Sequence, residues 1–180
     1  MNVLAIDCET TGLVESRLKR LEFQPHVIQF SAALVDLDCG ETKEEYSTFV
    51  RLPRPELLTA NIVKVTRITQ EDLSKAELFS HYFPRIRKMI ESAEAVAAHN
   101  LSYDKDVLDI EARRLEADIA WPERLICTVE ASAHASGFRL DLENLHKLLL
   151  GRGFAEAHDA RADVAALARC LVEMKRRDWI

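Results

Sequence analysis

Two carboxylates two residues apart, Asp7 and Glu9, end the apolar run that opens this chain of 180 residues. In an extended strand successive side chains alternate faces, so Val3, Ala5, Asp7 and Glu9 share one side. Leu4, Ile6 and Cys8 share the other. The two acids then lie about 7 Å apart along the strand, and their repulsion raises at least one pKa unless a cation compensates. A strand running out into a polar loop would leave the same pattern, so this pair by itself decides nothing. Asp104 is the second anomaly. Positions 101, 104, 108 and 115 form a stripe at helical spacing in which three residues are Leu and one is Asp. The competing reading is an acid favoured at a helix N-terminus by the macrodipole. Asp163 is the third, set among Ala160, Leu167, Cys170 and Met174 on one face of the last helical segment. Asp159 reads as the N-cap of that helix, with His158 immediately before it.

Each of these acids has an ordinary explanation, but together they are four inward carboxylates from three segments. Such a group cannot be gathered in one site without cations. Oxygen-only ligands suit hard divalent ions such as Mg²⁺ or Mn²⁺. The four cysteines, Cys8, Cys39, Cys127 and Cys170, are scattered without a C-x-x-C pair, which excludes a zinc site of the usual spacing. Two metals held by shared carboxylates are an arrangement that stabilises both the attacking and the leaving oxygen in phosphodiester cleavage.

The elements that must position these residues read as follows. Residues 2–7 form a strand; 27–38 and 43–52 form two more, joined in a hairpin around Gly40 and ended by Pro53 and Pro55. Residues 56–92 are mainly helical, with a capping signal at Thr69–Asp72. A short strand at 94–98 leads into a helix over 101–117. After the break at Pro122 come a strand at 125–128, helices at 129–135 and 141–150 punctuated by Gly151 and Gly153, and a last helix over 160–177. No repeat, low-complexity tract or linker divides the chain, so residues 1–180 are expected to form one α/β domain. The composition agrees, at 48% hydrophobic, 30% charged and 7% aromatic. No apolar run approaches the roughly 18–20 residues of a membrane span. Asp7 and Glu9 also stand where a signal peptide needs its apolar stretch. The cysteine usage favours buried free thiols in a reducing compartment, and a cytoplasmic protein without a membrane partner is expected.

Three segments resemble a known family. D-x-E-T-T-G-L at 7–13, H-N-x-x-Y-D-x-x-x-L at 99–108 and H-D-A-x-x-D-V-x-A at 158–166 resemble the three exonuclease motifs of the DnaQ-like superfamily. The histidine spacing matches its DEDDh branch, and the resemblance runs from Ile6 to about Leu171. It implies a ribonuclease-H-like fold: a central five-stranded mixed sheet, three antiparallel leading strands and then parallel ones, flanked by helices. It implies a 3′→5′ exonuclease that hydrolyses single-stranded nucleic acid from the 3′ end to nucleoside 5′-monophosphates, using two divalent ions, Mg²⁺ or Mn²⁺. Asp7, Glu9, Asp104 and Asp163 match the metal-binding acids, with Asp7 bridging the ions. His158 matches the residue that takes a proton from the attacking water, a role suited to a near-neutral pKa. By the same match the Thr10 region receives the terminal 3′-hydroxyl, Leu13 wedges against the last bases, and His99 and Asn100 border the substrate groove. Turn chemistry for Thr10, Thr11 and Gly12, and simple packing for Leu13, stand as alternatives.

Gln29 occupies a place where many relatives carry Glu, and no catalytic role is assigned to it. Arg17, Lys19 and Arg20 either reach a phosphate or form a solvated helical face. The E-T-T-G stretch at 9–12 resembles the proofreading members of the family, which implies DNA over RNA; an RNA-trimming enzyme similar to oligoribonuclease and a non-catalytic binding module of the same fold are the alternatives. After the third motif no long polymerase-docking tail is expected, and no feature identifies a polymerase or repair partner. The net charge of −6 looks adverse to nucleic acid. Two divalent ions at the acids would bring it to −2, with the positive charge where the phosphate must sit. An enzyme gripping a few terminal nucleotides needs no long basic track.

Overall fold

Alternation along the N-terminal run puts a separate row of side chains on each face of the sheet it founds. The computed structural model describes residues 1–16, 19–54, 56–154 and 159–180. In it β1 (Asn2–Thr10) is the middle of five strands. β2 (Val27–Asp36) and β3 (Glu41–Phe49) lie antiparallel on one side of β1. β4 (Ala95–Ala98) and β5 (Arg124–Cys127) add in parallel on the other, giving the order β3-β2-β1-β4-β5. The expected mixed sheet, three antiparallel strands and then parallel ones, is the observed one. Gly40, at a φ of 78° that glycine adopts without steric cost, closes the hairpin with its N–H 2.7 Å from the Asp36 carbonyl.

The stretch expected to be mainly helical resolves into α1 (Ala60–Thr66), α2 (Gln70–Ser74) and α3 (Phe79–Ser92). Arg67 ends α1 in the left-handed region, and Thr69 with Asp72 forms the expected capping box at the start of α2. α4 (Leu101–Arg114) carries the chain from β4 towards β5, since neighbouring parallel strands require a crossover. α5 (Thr128–Ser136) and α6 (Leu142–Leu150) end at Gly137 and Gly151, and α7 (Ala160–Arg176) closes the fold.

Helices cover both faces of β1. Leu4, Ile6 and Cys8 pack in one core with Ile86 and Ile90 of α3 and Val107 and Leu108 of α4. Val3 and Ala5 pack in another with Val164, Leu167 and Leu171 of α7. Each such aliphatic side chain contributes about 1.5–3 kcal/mol when fully buried, so the two rows lock the register and rotation of β1. Asp7 and Glu9 continue the α7-facing row beyond the point where the core ends.

Cys8 and Cys170 are buried free thiols, as expected. Cys127 is only partly buried, and Cys39, in the turn between β2 and β3, is exposed. Among the described residues no helix is long and apolar enough to cross a membrane.

Candidate active site

β4 pairs with β1 only between Val3 and Ala5, so the end of β1 projects beyond the parallel half of the sheet. The Cys8 N–H is therefore left without a strand partner on that side, and Asp104 Oδ1 accepts it at 3.0 Å. Asp104 is buried one turn into α4, between Leu101 and Leu108 as its spacing predicts. Leu115 falls off that stripe, because α4 stops at Arg114 and the residue is partly exposed at the C-cap. The chain enters α4 through His99 and Asn100, the latter at φ 72° and ψ 53°, a left-handed conformation that asparagine tolerates.

From the opposite face the first turn of α7 brings Asp163 to the strand. One oxygen each of Asp7, Glu9 and Asp163 can be chosen so that all lie within 4.8 Å of one another, and all three residues are half-buried. Asp159 caps this helix as expected, its Oδ1 accepting from Arg161 N at 2.9 Å and Ala162 N at 3.2 Å. His158, the expected proton acceptor, lies outside the described residues.

Burial and like charge act together on the cluster. Burial pushes Asp7 well above the usual carboxylate range, and Asp104, Asp163 and Glu9 push it further. Glu9 is raised to about 8, first by burial and then by Asp163, Asp104 and Asp159. Burial also raises Asp104, against the opposing effect of the Cys8 N–H it accepts. An oxygen-only group that resists ionisation in this way is chemically matched to hard divalent cations, which would replace the missing positive charge.

The surroundings are equally specific. Tyr103 OH donates to the Gly12 carbonyl at 2.8 Å and also meets Thr10 Oγ1, which lies 2.8 Å from the same carbonyl. The Thr10–Gly12 segment is thus a braced turn, and burial raises the Tyr103 phenol to about 12. Leu13 follows it at 82% exposure, which removes simple packing as its explanation. His99 Nδ1 is 2.9 Å from Thr128 Oγ1, and burial lowers its pKa. Asn100 is exposed. A cleft of about 400 Å³ joins Asp7 and Asp163 to His99, Asp141, Leu142, Glu143 and Phe154.

Several of these contributors were not picked out as site residues from sequence. Tyr103 lies inside the second motif but carries no charge to mark it, and Asp141 reads simply as the N-cap of α6. The loop that bears Leu13 is clamped by α4 from a distance of about 90 residues in sequence. Arg114 donates to the carbonyls of Leu21, Gln24 and Pro25 at 2.7–2.9 Å, while buried Glu111 accepts the Val27 N–H at 3.0 Å and pairs with Arg114. Lys19 and Arg20 pair with Glu15 and Glu22 of the same loop, which is not α-helical where described; Arg17 lies outside the described residues.

The exonuclease family model RNase_T matches residues 4–171. Among solved structures, the nuclease domain of 3′hExo, a DEDDh family member bound to rAMP, aligns with a TM-score of 0.81 at 16% identity, over 98% of this chain and 92% of that one. Exonuclease X in complex with 5′-overhanging duplex DNA aligns with a TM-score of 0.71 at 19% identity, over 99% and 94%. E. coli Exonuclease I in complex with a dT13 oligonucleotide gives a TM-score of 0.79 at 19% identity, covering 98% of this chain and 41% of that one. No curated protein sequence matches the chain.

Proposed function

The chain belongs to the RNase_T exonuclease family, and on that premise we propose that it removes nucleotides stepwise from the 3′ end of single-stranded nucleic acid. It is a nuclease of the DEDDh group with the ribonuclease-H-like fold. The finer reading rests on one observation above all: the convergence of Asp7, Glu9 and Asp163 within 4.8 Å, with Asp104 anchored to the same strand. These four acids would hold two divalent cations, Mg²⁺ or Mn²⁺. When bound, the ions would neutralise the charge that builds on the attacking and leaving oxygens.

The side chains of this protein do the rest. His158 takes the proton of the attacking water, its place supported by the five-residue spacing to Asp163 and by the capped helix start that follows it. The braced turn at Thr10 receives the terminal 3′-hydroxyl, and exposed Leu13 rests against the last base. His99 and Asn100 border the groove. Nucleoside 5′-monophosphates leave.

DNA is the favoured substrate. RNA is the second reading, since the 3′hExo nuclease domain is seen bound to rAMP, and another structural neighbour shows 3′-end-specific recognition of a histone mRNA stem-loop by a 3′-exonuclease. Matched 5′-labelled DNA and RNA oligonucleotides with Mg²⁺ test both readings. Stepwise shortening from the 3′ end, faster on DNA, is the expected result; faster RNA trimming overturns the DNA preference. Asp7→Ala and Asp163→Asn should each reduce mononucleotide release by at least about a thousandfold, a loss of about 4 kcal/mol in barrier lowering, without unfolding the protein. Turnover near that of the wild type in either variant overturns the cation assignment.

A further inference from the structure

The helix that carries Asp163 must be held in place against the strand that carries Asp7 and Glu9. The first turn of a helix leaves backbone N–H groups without intrahelical partners. In α7 Asp159 takes two of them, those of Arg161 and Ala162. The N–H of Ala160, fully buried, goes instead to Gln29 Oε1 at 3.2 Å, a contact across 131 residues. Gln29 belongs to β2, is 4% exposed, and stands directly opposite Glu9 in the β1–β2 ladder. The ladder is irregular at that point: Glu9 faces Gln29 and Thr10 faces Val27, so Ile28 is bulged out. Bulges of this kind re-aim neighbouring side chains and are conformationally specified.

We propose that Gln29 is a positioning residue of the site: its side-chain carbonyl, held opposite Glu9, pins the first N–H of α7 and so sets the separation of Asp163 from Asp7 and Glu9. The chemistry of the side chain fits the task. Its side-chain oxygen accepts the helix N–H, a task that a carboxylate oxygen of the same reach can also perform. A hydrocarbon of the same size would leave Ala160 N–H buried and unsatisfied, which is costly. Gln29 therefore acts through α7 and has no direct part in the chemistry. The inference rests on the reading of Asp7, Glu9 and Asp163 as a cation site.

The test compares wild type, Gln29→Leu, Gln29→Glu and Ile90→Val, the last a core substitution on α3 beneath the other face of the sheet. Amide hydrogen exchange of α7 is followed without metal, Mn²⁺ binding by electron paramagnetic resonance, and kcat and KM on an oligonucleotide. In Gln29→Leu the amides of residues 160–163 should exchange about tenfold faster, the scale of one lost buried hydrogen bond. Mn²⁺ binding should weaken and kcat fall by similar factors, with KM within about twofold of wild type. Gln29→Glu retains the acceptor and should restore exchange protection and Mn²⁺ binding, whereas Ile90→Val should leave kcat and Mn²⁺ binding unchanged. Wild-type exchange or wild-type Mn²⁺ binding in Gln29→Leu overturns the proposal, as does a failure of Gln29→Glu to restore them. A wild-type protein that binds no Mn²⁺ would instead overturn the cation-site reading, and with it the purpose assigned to the contact.

Discussion

Without divalent ions, raising the pH from 5 to 8 should destabilise this protein, through Glu9 together with Asp7 and Asp104. The carboxyl group of Glu9 holds its proton up to about pH 8 in the folded chain because of burial and the neighbouring acids, whereas in the unfolded chain it ionises near pH 4.3. Between those values the folded state binds more protons than the unfolded state, so stability is greatest below the unfolded pKa and falls as pH rises through the folded one. Each pH unit of that interval is worth about 1.4 kcal/mol, giving an upper bound of about 5 kcal/mol. Glu9 is half-buried, and water reaching it reduces this to about 2–3 kcal/mol. In a chain of this length that corresponds to a fall in Tm of about 5–10 °C. The window is clear of Asp36, whose pairing with Lys43 lowers it to about 2 and whose contribution is lost only in stronger acid. His99 acts with the opposite sign, since burial lowers its pKa and its cost is relieved as pH rises. The measurement is therefore a difference. Thermal melts of chelated wild type and Glu9→Gln are compared from pH 5 to 8.5, with and without Mg²⁺. Glu9→Gln mimics the protonated acid, so it should melt above wild type at pH 8 without metal and gain less from Mg²⁺. Parallel pH profiles of the two proteins, or equal stabilisation by Mg²⁺, would refute the reasoning.

Asp104→Asn keeps an oxygen for the Cys8 N–H but removes the buried charge; the metal-free protein should become more stable at pH 8 by about 1–3 kcal/mol while mononucleotide release is lost, read by melting and by gel assay. Leu13→Ala should leave Tm within about 1 °C, since the side chain is 82% exposed, yet raise KM for oligonucleotides severalfold. Arg114→Ala strips three carbonyls and Glu111 of their partner and should cost about 2–4 kcal/mol by chemical denaturation. Its exchange rates should rise first in residues 21–27, next to the loop that carries Leu13.

The legibility of the site differed from residue to residue. Asp7 and Glu9 were readable because strand alternation is a local property, and the same rule put Val3 and Ala5 on their side of the strand, the side that packs on α7. Asp104 and Asp163 were readable because a charge interrupts a helical stripe of apolar residues. Gln29 was visible as a polar residue in an apolar strand, at a place where many relatives carry Glu, but without a role. Its partner, the Ala160 N–H, is a backbone group with no signature in side-chain pattern. The clamp of Arg114 on the Leu13 loop was equally hidden, since it is built from main-chain carbonyls whose direction depends on how α4 lies across the sheet.

Sequence alone therefore determined the inward-facing acids, the order of the strands and helices along the chain, and the chemistry that four inward carboxylates require, because periodicity and charge are carried by each segment independently. Only the tertiary structure decided that Asp7, Glu9 and Asp163 form a close trio while Asp104 supports β1 from the other face. That division depends on β4 being too short to pair with the end of β1 and on two helices approaching from opposite sides. Both are distances between segments far apart in the chain, set by core packing that no single segment encodes.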